Sequence, residues 1–170
     1  MEEVTLIRDE IDSDCDAVRR ILESAFPTGA EAKLVDQLRT VGKLVITLVA
    51  SLDDQVVGHI AFSPIRIAGR QERTGVGLAP VSVNSRYRKR GVAARLVRAG
   101  LERAKQLGYS WAVVLGDPGY YGRFGFAPAS DWALNDTYGG GSAFQALELQ
   151  PAGIPAGGGT VSYSEEFNEL

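Results

Sequence analysis

One cysteine, Cys15, and one histidine, His59, are all that 170 residues provide of those two types. A disulfide framework needs cysteine pairs and a structural zinc site needs about four Cys or His ligands, so neither can be assembled and no metal is expected. Long apolar runs are missing too: no segment approaches the roughly eighteen uninterrupted apolar residues of a membrane span. The opening Met-Glu-Glu-Val-Thr is acidic and has no apolar leader core, so no membrane association is expected and the cytoplasm is the expected compartment. An excess of positive charge is also lacking. The net charge of -3 argues against generic nucleic-acid binding.

What is present suits an ordinary folded protein, with 45% hydrophobic and 23% charged residues. A chain of 170 residues fits a single domain, 1–170, that buries about two-thirds of its unfolded surface. The few cations are unevenly placed: eight of the 18 Lys and Arg fall between Arg86 and Lys105, a concentration able to attract an anion or to form a solvated helix face.

Val4 to Arg8 alternates as a short first strand. Ser13, with Asp16 three residues on, is placed to cap a helix striped by Ala17, Val18, Ile21, Leu22, Ala25 and Phe26 and ended by Pro27. Thr28 and Glu31 form a Thr-x-x-Glu box for a second helix with the stripe Leu34, Val35, Leu38 and Val41 and a stop at Gly42. Leu44 to Ala50, Val56 to Ile67 and Arg73 to Val83 read as an antiparallel meander, with a hairpin turn at Leu52-Asp53-Asp54-Gln55 and a possible bulge at Gly58. A helix over Gly91 to Leu107, striped by Val92, Leu96, Gly100, Leu101 and Ala104, leads into the apolar run Trp111 to Leu115. Strand, helix and strand at this spacing form a right-handed βαβ unit with parallel strands. A short helix is expected over Tyr120 to Phe124, a loop over Trp132 to Ser142, and closing strands at Phe144 to Leu149 and Thr160 to Tyr163, joined by the glycine-rich Gly153 to Gly159.

The chemistry concentrates in Val81 to Ala93, Val-Ser-Val-Asn-Ser-Arg-Tyr-Arg-Lys-Arg-Gly-Val-Ala, where a strand runs into a cationic turn and then a helix. A helix N-terminus offers unpaired amides and a partial positive charge, which together suit a phosphate. Gly91 lets the backbone approach an anion, small Ala93 keeps the first turn clear, and Arg88, Lys89 and Arg90 add charge. The plainer interpretation is a helix whose glycine serves only the turn. Neither a Gly-x-x-x-x-Gly-Lys-Ser/Thr run nor a Gly-x-Gly-x-x-Gly after a strand occurs.

Arg88-Lys-Arg-Gly91-Val-Ala93 resembles the Gln/Arg-x-x-Gly-x-Gly/Ala motif of the GNAT superfamily of acetyl-CoA-dependent N-acetyltransferases. Tyr121-Gly-Arg-Phe-Gly125-Phe126 resembles that superfamily's Tyr-x-x-x-Gly-Phe element, and Leu115 to Phe126 as a whole resembles its YhbS-like branch. The resemblance implies an α/β GNAT fold, a mixed six- to seven-stranded sheet flanked by about four helices. It also implies acetyl-CoA as cosubstrate and a primary amine as acceptor. The backbone of Val81, Ser82 and Val83 would pair with the pantetheine arm, and the amides of Arg88, Lys89, Arg90, Gly91, Val92 and Ala93 would hold the pyrophosphate.

Tyr121 stands at the superfamily's general-acid position, with Tyr120 as the neighbour that a one-residue shift would substitute. A phenol with an ordinary pKa near 10 stays protonated at neutral pH and can donate to a departing thiolate. The base is not legible: His59 has a suitable intrinsic pKa, Asp117 ends the Trp111 strand where asparagine is common in the superfamily, and a water relay needs neither. The Phe26 to Glu31 junction and the Trp132 to Ser142 loop are the expected acceptor contacts. A non-catalytic acyl-CoA-binding or sensor module is the alternative function, and a homodimer remains open.

Overall fold

Thirteen residues from Gln55 to Ile67 make the longest strand, and the sheet is built out from it in both directions. The computed structural model describes residues 5–170, so Val4 of the expected first strand lies outside the described residues. In chain order the strands are β1 (Leu6–Asp9), β2 (Ile46–Leu52), β3 (Gln55–Ile67), β4 (Gly75–Val83), β5 (Trp111–Leu115), β6 (Ala127–Pro128), β7 (Leu134–Asp136), β8 (Phe144–Glu148) and β9 (Gly159–Tyr163). The helices are α1 (Cys15–Ala25), α2 (Ala30–Thr40), α3 (Val92–Gln106) and α4 (Pro118–Tyr121). The hydrogen-bonded order is β1-β2-β3-β4-β5-β8-β6, with β9 on β3 and β7 on β9. Among the described residues, seven strands on one mixed path and four α-helices fit the expected mixed α/β class, and β9 and β7 extend the sheet to nine strands, beyond the six to seven expected. None of the helices among the described residues is long and apolar enough to cross a membrane.

The chain forms two compact units, and β3 and β4 each pass from one into the other. The first comprises residues up to Phe62 with 79–100 and 165–170. Here β2 pairs antiparallel with β1 and β3, and the β2–β3 turn is made by Asp53 and Asp54, both with positive φ (50° and 63°) as a two-residue hairpin requires. The register slips between Ala50 and Ser51, opposite Gly58 and Val56, so the bulge falls where glycine foreshadows it. Val18, Ile21 and Leu22 of α1 and Ala32 and Val35 of α2 pack with Val49 and Val56 in one apolar cluster.

Three expectations at helix ends are corrected. A 3-10 turn (Asp12–Asp14) precedes α1, and its N-cap is Asp14 rather than Ser13. The Asp14 carboxylate accepts from the Ile11 amide (2.8 Å) and from Arg8 (2.7 and 3.0 Å), which carries the chain into the turn before the helix begins. The N-cap of α2 is Gly29, although the Thr28 hydroxyl still accepts from the Ala30 amide at 3.2 Å. Val41 is the C-cap of α2 and 53% exposed, because the helix ends before its stripe is complete.

The second unit comprises residues 63–78 and 101–164. β4 and β5 are parallel in the register Gly75↔Trp111 to Leu78↔Val114, as the strand–helix–strand spacing requires. β8 pairs antiparallel with β5 and with the short β6, and β9 pairs with the end of β3. Within the expected Trp132 to Ser142 loop lies β7, parallel to β9. Its three residues, Leu-Asn-Asp, have little strand propensity of their own and owe their conformation to the edge that β9 provides.

Candidate active site

The first candidate segment is β4, the turn after it and the start of α3. β4 runs to Val83, five residues past Leu78, the last residue it pairs with β5. Ser82, in that extension, is buried, and its hydroxyl has no hydrogen-bond partner among the described residues. A buried hydroxyl without a partner costs about 1–3 kcal/mol, which a ligand group could recover. The Asn84 amide donates to Val57 O at 2.8 Å and fixes the end of β4 beside β3.

The chain then turns through Ser85–Tyr87, opened by the Asn84 side chain accepting from the Arg86 amide at 3.0 Å. Lys89 (φ 62°) and Gly91 (φ 79°) are left-handed, and Arg90 between them is not. Such alternation turns successive amides toward one concavity, the geometry that receives anions. A Cβ on Gly91 would meet nothing within 4 Å, so the space beside it is open. The α3 stripe Val92, Leu96, Gly100, Leu101 and Ala104 is buried as its spacing demands. Val92 and Leu96 pack over Gly58, where a Cβ would stand 3.1 and 3.0 Å from their methyl groups. Arg88, Lys89 and Arg90 are exposed; Arg88 Nε donates to Val83 O at 3.4 Å, and the Arg90 guanidinium lies 5.5 Å from the Tyr87 ring centre.

The second candidate segment, in the other unit, follows the end of β5. Asp117 caps α4, its Oδ1 accepting from the Gly119 amide at 2.9 Å, with Pro118 in the first turn where its missing N–H costs nothing. This places Asp117 in a structural role at the turn. A 3-10 turn, Gly122–Phe124, continues the helix until Gly125 (φ 96°) ends it. Tyr121 is 9% exposed and lies edge-on to Tyr120 and Phe126, with ring centres 5.0 and 5.9 Å away. Burial, and secondarily the neighbouring Tyr120, push its phenol pKa up to about 12. Tyr120, by contrast, is partly exposed, with the Arg123 guanidinium 4.4 Å from its ring centre.

Two residues that the sequence did not single out hold this segment together. Gly116 makes room for the Tyr121 ring, since a Cβ there would overlap Cε2. The fully buried Gln145 of β8 donates to Gly116 O at 3.1 Å, and the Gly116 amide donates to Ala143 O at 3.0 Å. A glycine directly after a buried strand was the available signal for Gly116. Nothing in the pattern of β8 marks Gln145 as inward-facing.

His59 is the sequence candidate that the structure turns away from solvent. It is 0% exposed, its Nε2 is 2.9 Å from the Thr47 hydroxyl, and that hydroxyl donates to Glu10. Glu10 in turn pairs with Arg39 at 2.6 Å. Burial and the Arg39 charge depress the His59 pKa to about 3, so the ring is neutral in the fold. Among the described residues no group of three or more His, Cys, Asp or Glu could hold a metal ion.

A strand β4 that outruns its parallel neighbour β5, followed by a turn with left-handed Lys89 and Gly91 and a helix, fits the expected mixed α/β fold of the GNAT acyltransferases. The chain belongs to the GNAT acetyltransferase family: the family model described as "Acetyltransferase (GNAT) domain" matches residues 7–129. It is 42% identical to the uncharacterized N-acetyltransferase YhbS of Escherichia coli over 167 residues, 97% of this chain and 99% of that protein. It also resembles two solved structures. E. coli YhbS in complex with CoA matches with a TM-score of 0.94 and 40% identity, covering 99% of this chain and 94% of that one. A GNAT family acetyltransferase from Brucella melitensis in complex with acetyl-CoA matches with a TM-score of 0.81 and 35% identity, covering 98% and 99%.

Proposed function

We propose that residues 1–170 act as one N-acetyltransferase domain that binds acetyl-CoA along β4 and the following turn and passes its acetyl group to a primary amine. The observation that carries this is the β4 extension past Leu78, with its buried, unpartnered Ser82 hydroxyl, leading into the Lys89–Gly91 anion turn. In this reading the backbone of Val81, Ser82 and Val83 takes the pantetheine arm. The amides of Arg88, Lys89, Arg90, Gly91, Val92 and Ala93 take the pyrophosphate, assisted by the partial positive charge at the start of α3. Support comes from the two similar proteins crystallised with CoA and acetyl-CoA.

Acetyl-CoA supplies the thioester, and the amine nitrogen forms the new C–N bond as the C–S bond breaks. Tyr121 holds a proton for the departing sulfur, and its raised pKa keeps it protonated well above neutral pH. His59 is enclosed and neutral, and Asp117 is engaged as a helix cap, so the amine's proton passes to water in this scheme. The cytoplasm is the assigned compartment, because the polyanionic cosubstrate does not cross a bilayer unaided.

The test is thiol release from acetyl-CoA across a panel of primary amines, with CoA binding measured in parallel by calorimetry. Turnover with at least one amine is expected. Binding without turnover for every amine would make the chain a non-catalytic acyl-CoA sensor, and absence of CoA binding would end the proposal.

A further inference from the structure

Tyr163, on the last strand, reaches two backbone elements that the sequence keeps far apart. It lies opposite Ile65 in the β3–β9 pair, is buried, and points its hydroxyl at Leu78 O and Val113 O, each 3.4 Å away. Those carbonyls belong to the end of the β4–β5 pairing, which stops at Leu78↔Val114. The ring fits because position 77 is glycine: a Cβ there would come within 2.6 Å of Cε2 and 2.8 Å of Cζ. A hydroxyl has one proton, so it is shared between the two oxygens and tethers both strands at the point where they cease to pair.

The same residue touches the loop after β7. Its amide donates to the Tyr138 hydroxyl at 3.3 Å, and the two rings meet edge-on with centres 6.1 Å apart. That loop is closed by Asp136, whose carboxylate accepts from the Tyr138 amide (3.2 Å) and the Gly140 amide (3.0 and 3.1 Å). Tyr138 itself stays 38% exposed.

We propose that Tyr163 is a positioning residue for acetyl transfer, setting where β4 leaves β5 through its hydroxyl and holding the Tyr138 loop through its amide. Burial, reinforced by Tyr138, Tyr121 and Asp136, raises its pKa strongly, so it remains a donor across the working pH range. The inference rests on the acetyl-CoA reading above, since the residues of β4 beyond Leu78 are those assigned to the pantetheine arm.

Tyr163→Phe removes one oxygen and keeps the ring that fills the Gly77 space. In the full chain, CoA affinity by calorimetry should weaken about three- to fivefold, the range expected for one shared hydrogen bond. The KM for acetyl-CoA should rise by the same factor with kcat little changed. Unchanged CoA affinity, whatever the melting temperature does, would overturn the positioning role. Tyr138→Phe tests the loop separately: a higher KM for the amine with normal CoA affinity is expected, and an unchanged amine KM would sink that part. Failure of the wild-type chain to bind CoA would instead remove the underlying reading, so the two failures are distinguishable.

Discussion

The ring of Tyr121 occupies the space that any side chain on Gly116 would need. Gly116→Ala should therefore push the ring aside or open the end of β5, at a stability cost of about 1–3 kcal/mol typical of an overpacked site. We expect kcat to fall at least about tenfold with CoA affinity nearly intact, because the displaced group is the proposed proton donor. Steady-state kinetics and a urea melt on one preparation would check this, and wild-type kcat in a folded variant would show that the ring's position is immaterial.

Tyr121→Phe keeps that packing and removes only the hydroxyl proposed as proton donor. A loss of about a hundredfold in kcat is expected, the lower end of what a positioned acid contributes, with unchanged CoA affinity. Because the phenol pKa is pushed up to about 12, the wild-type rate should show no loss from Tyr121 ionisation up to pH 10. A pH–rate profile across pH 7–10, compared with that of Tyr120→Phe, would separate the two tyrosines.

Gly91→Leu places a bulky group in the open space beside the turn and imposes a left-handed conformation on a residue with a Cβ. The backbone strain alone costs about 1–2 kcal/mol. CoA should bind at least about tenfold more weakly, as read by calorimetry, with kcat at saturating acetyl-CoA far less affected. Normal affinity would remove the turn from the proposed cofactor site.

His59 makes stability depend on pH. The folded ring stays neutral down to about pH 3, whereas the unfolded ring takes up a proton near its ordinary pKa of 6.5. Below 6.5 the unfolded state therefore binds more protons, and stability falls as the pH is lowered toward 3, by up to about 1.4 kcal/mol per unit. The contribution is complete above 6.5. His59→Gln should lose less stability than wild type between pH 7 and pH 5 in urea melts; equal losses would show that the buried ring does not carry this dependence.

Local patterning made the frame legible. The α3 stripe, the Trp111–Leu115 run and the Asp53-Asp54 hairpin each obey short-range rules, and each appears in the structure where its spacing places it. Helix starts were less legible, because the Asp14 carboxylate has two competing partners, Arg8 and the Ile11 amide, so the N-cap residue of α1 makes no side-chain bond to the helix it opens. β7 was invisible for a related reason: its pairing is with β9, and three residues carry no periodicity.

The sequence by itself determined the elements on which the two candidate segments, Arg88 to Ala93 and Tyr121 to Phe126, are carried, since a glycine turn before a helix and a motif after a buried strand are local statements. Only the tertiary structure decided which side chains stand behind them. It enclosed His59 with Thr47, Glu10 and Arg39, seated Tyr121 on Gly116, whose carbonyl Gln145 holds, and set the Tyr163 hydroxyl at the end of the β4–β5 pair. Each of these depends on contacts between residues distant in the chain, and burial, which shifts a pKa or leaves a hydroxyl without a partner, arises only when those contacts form.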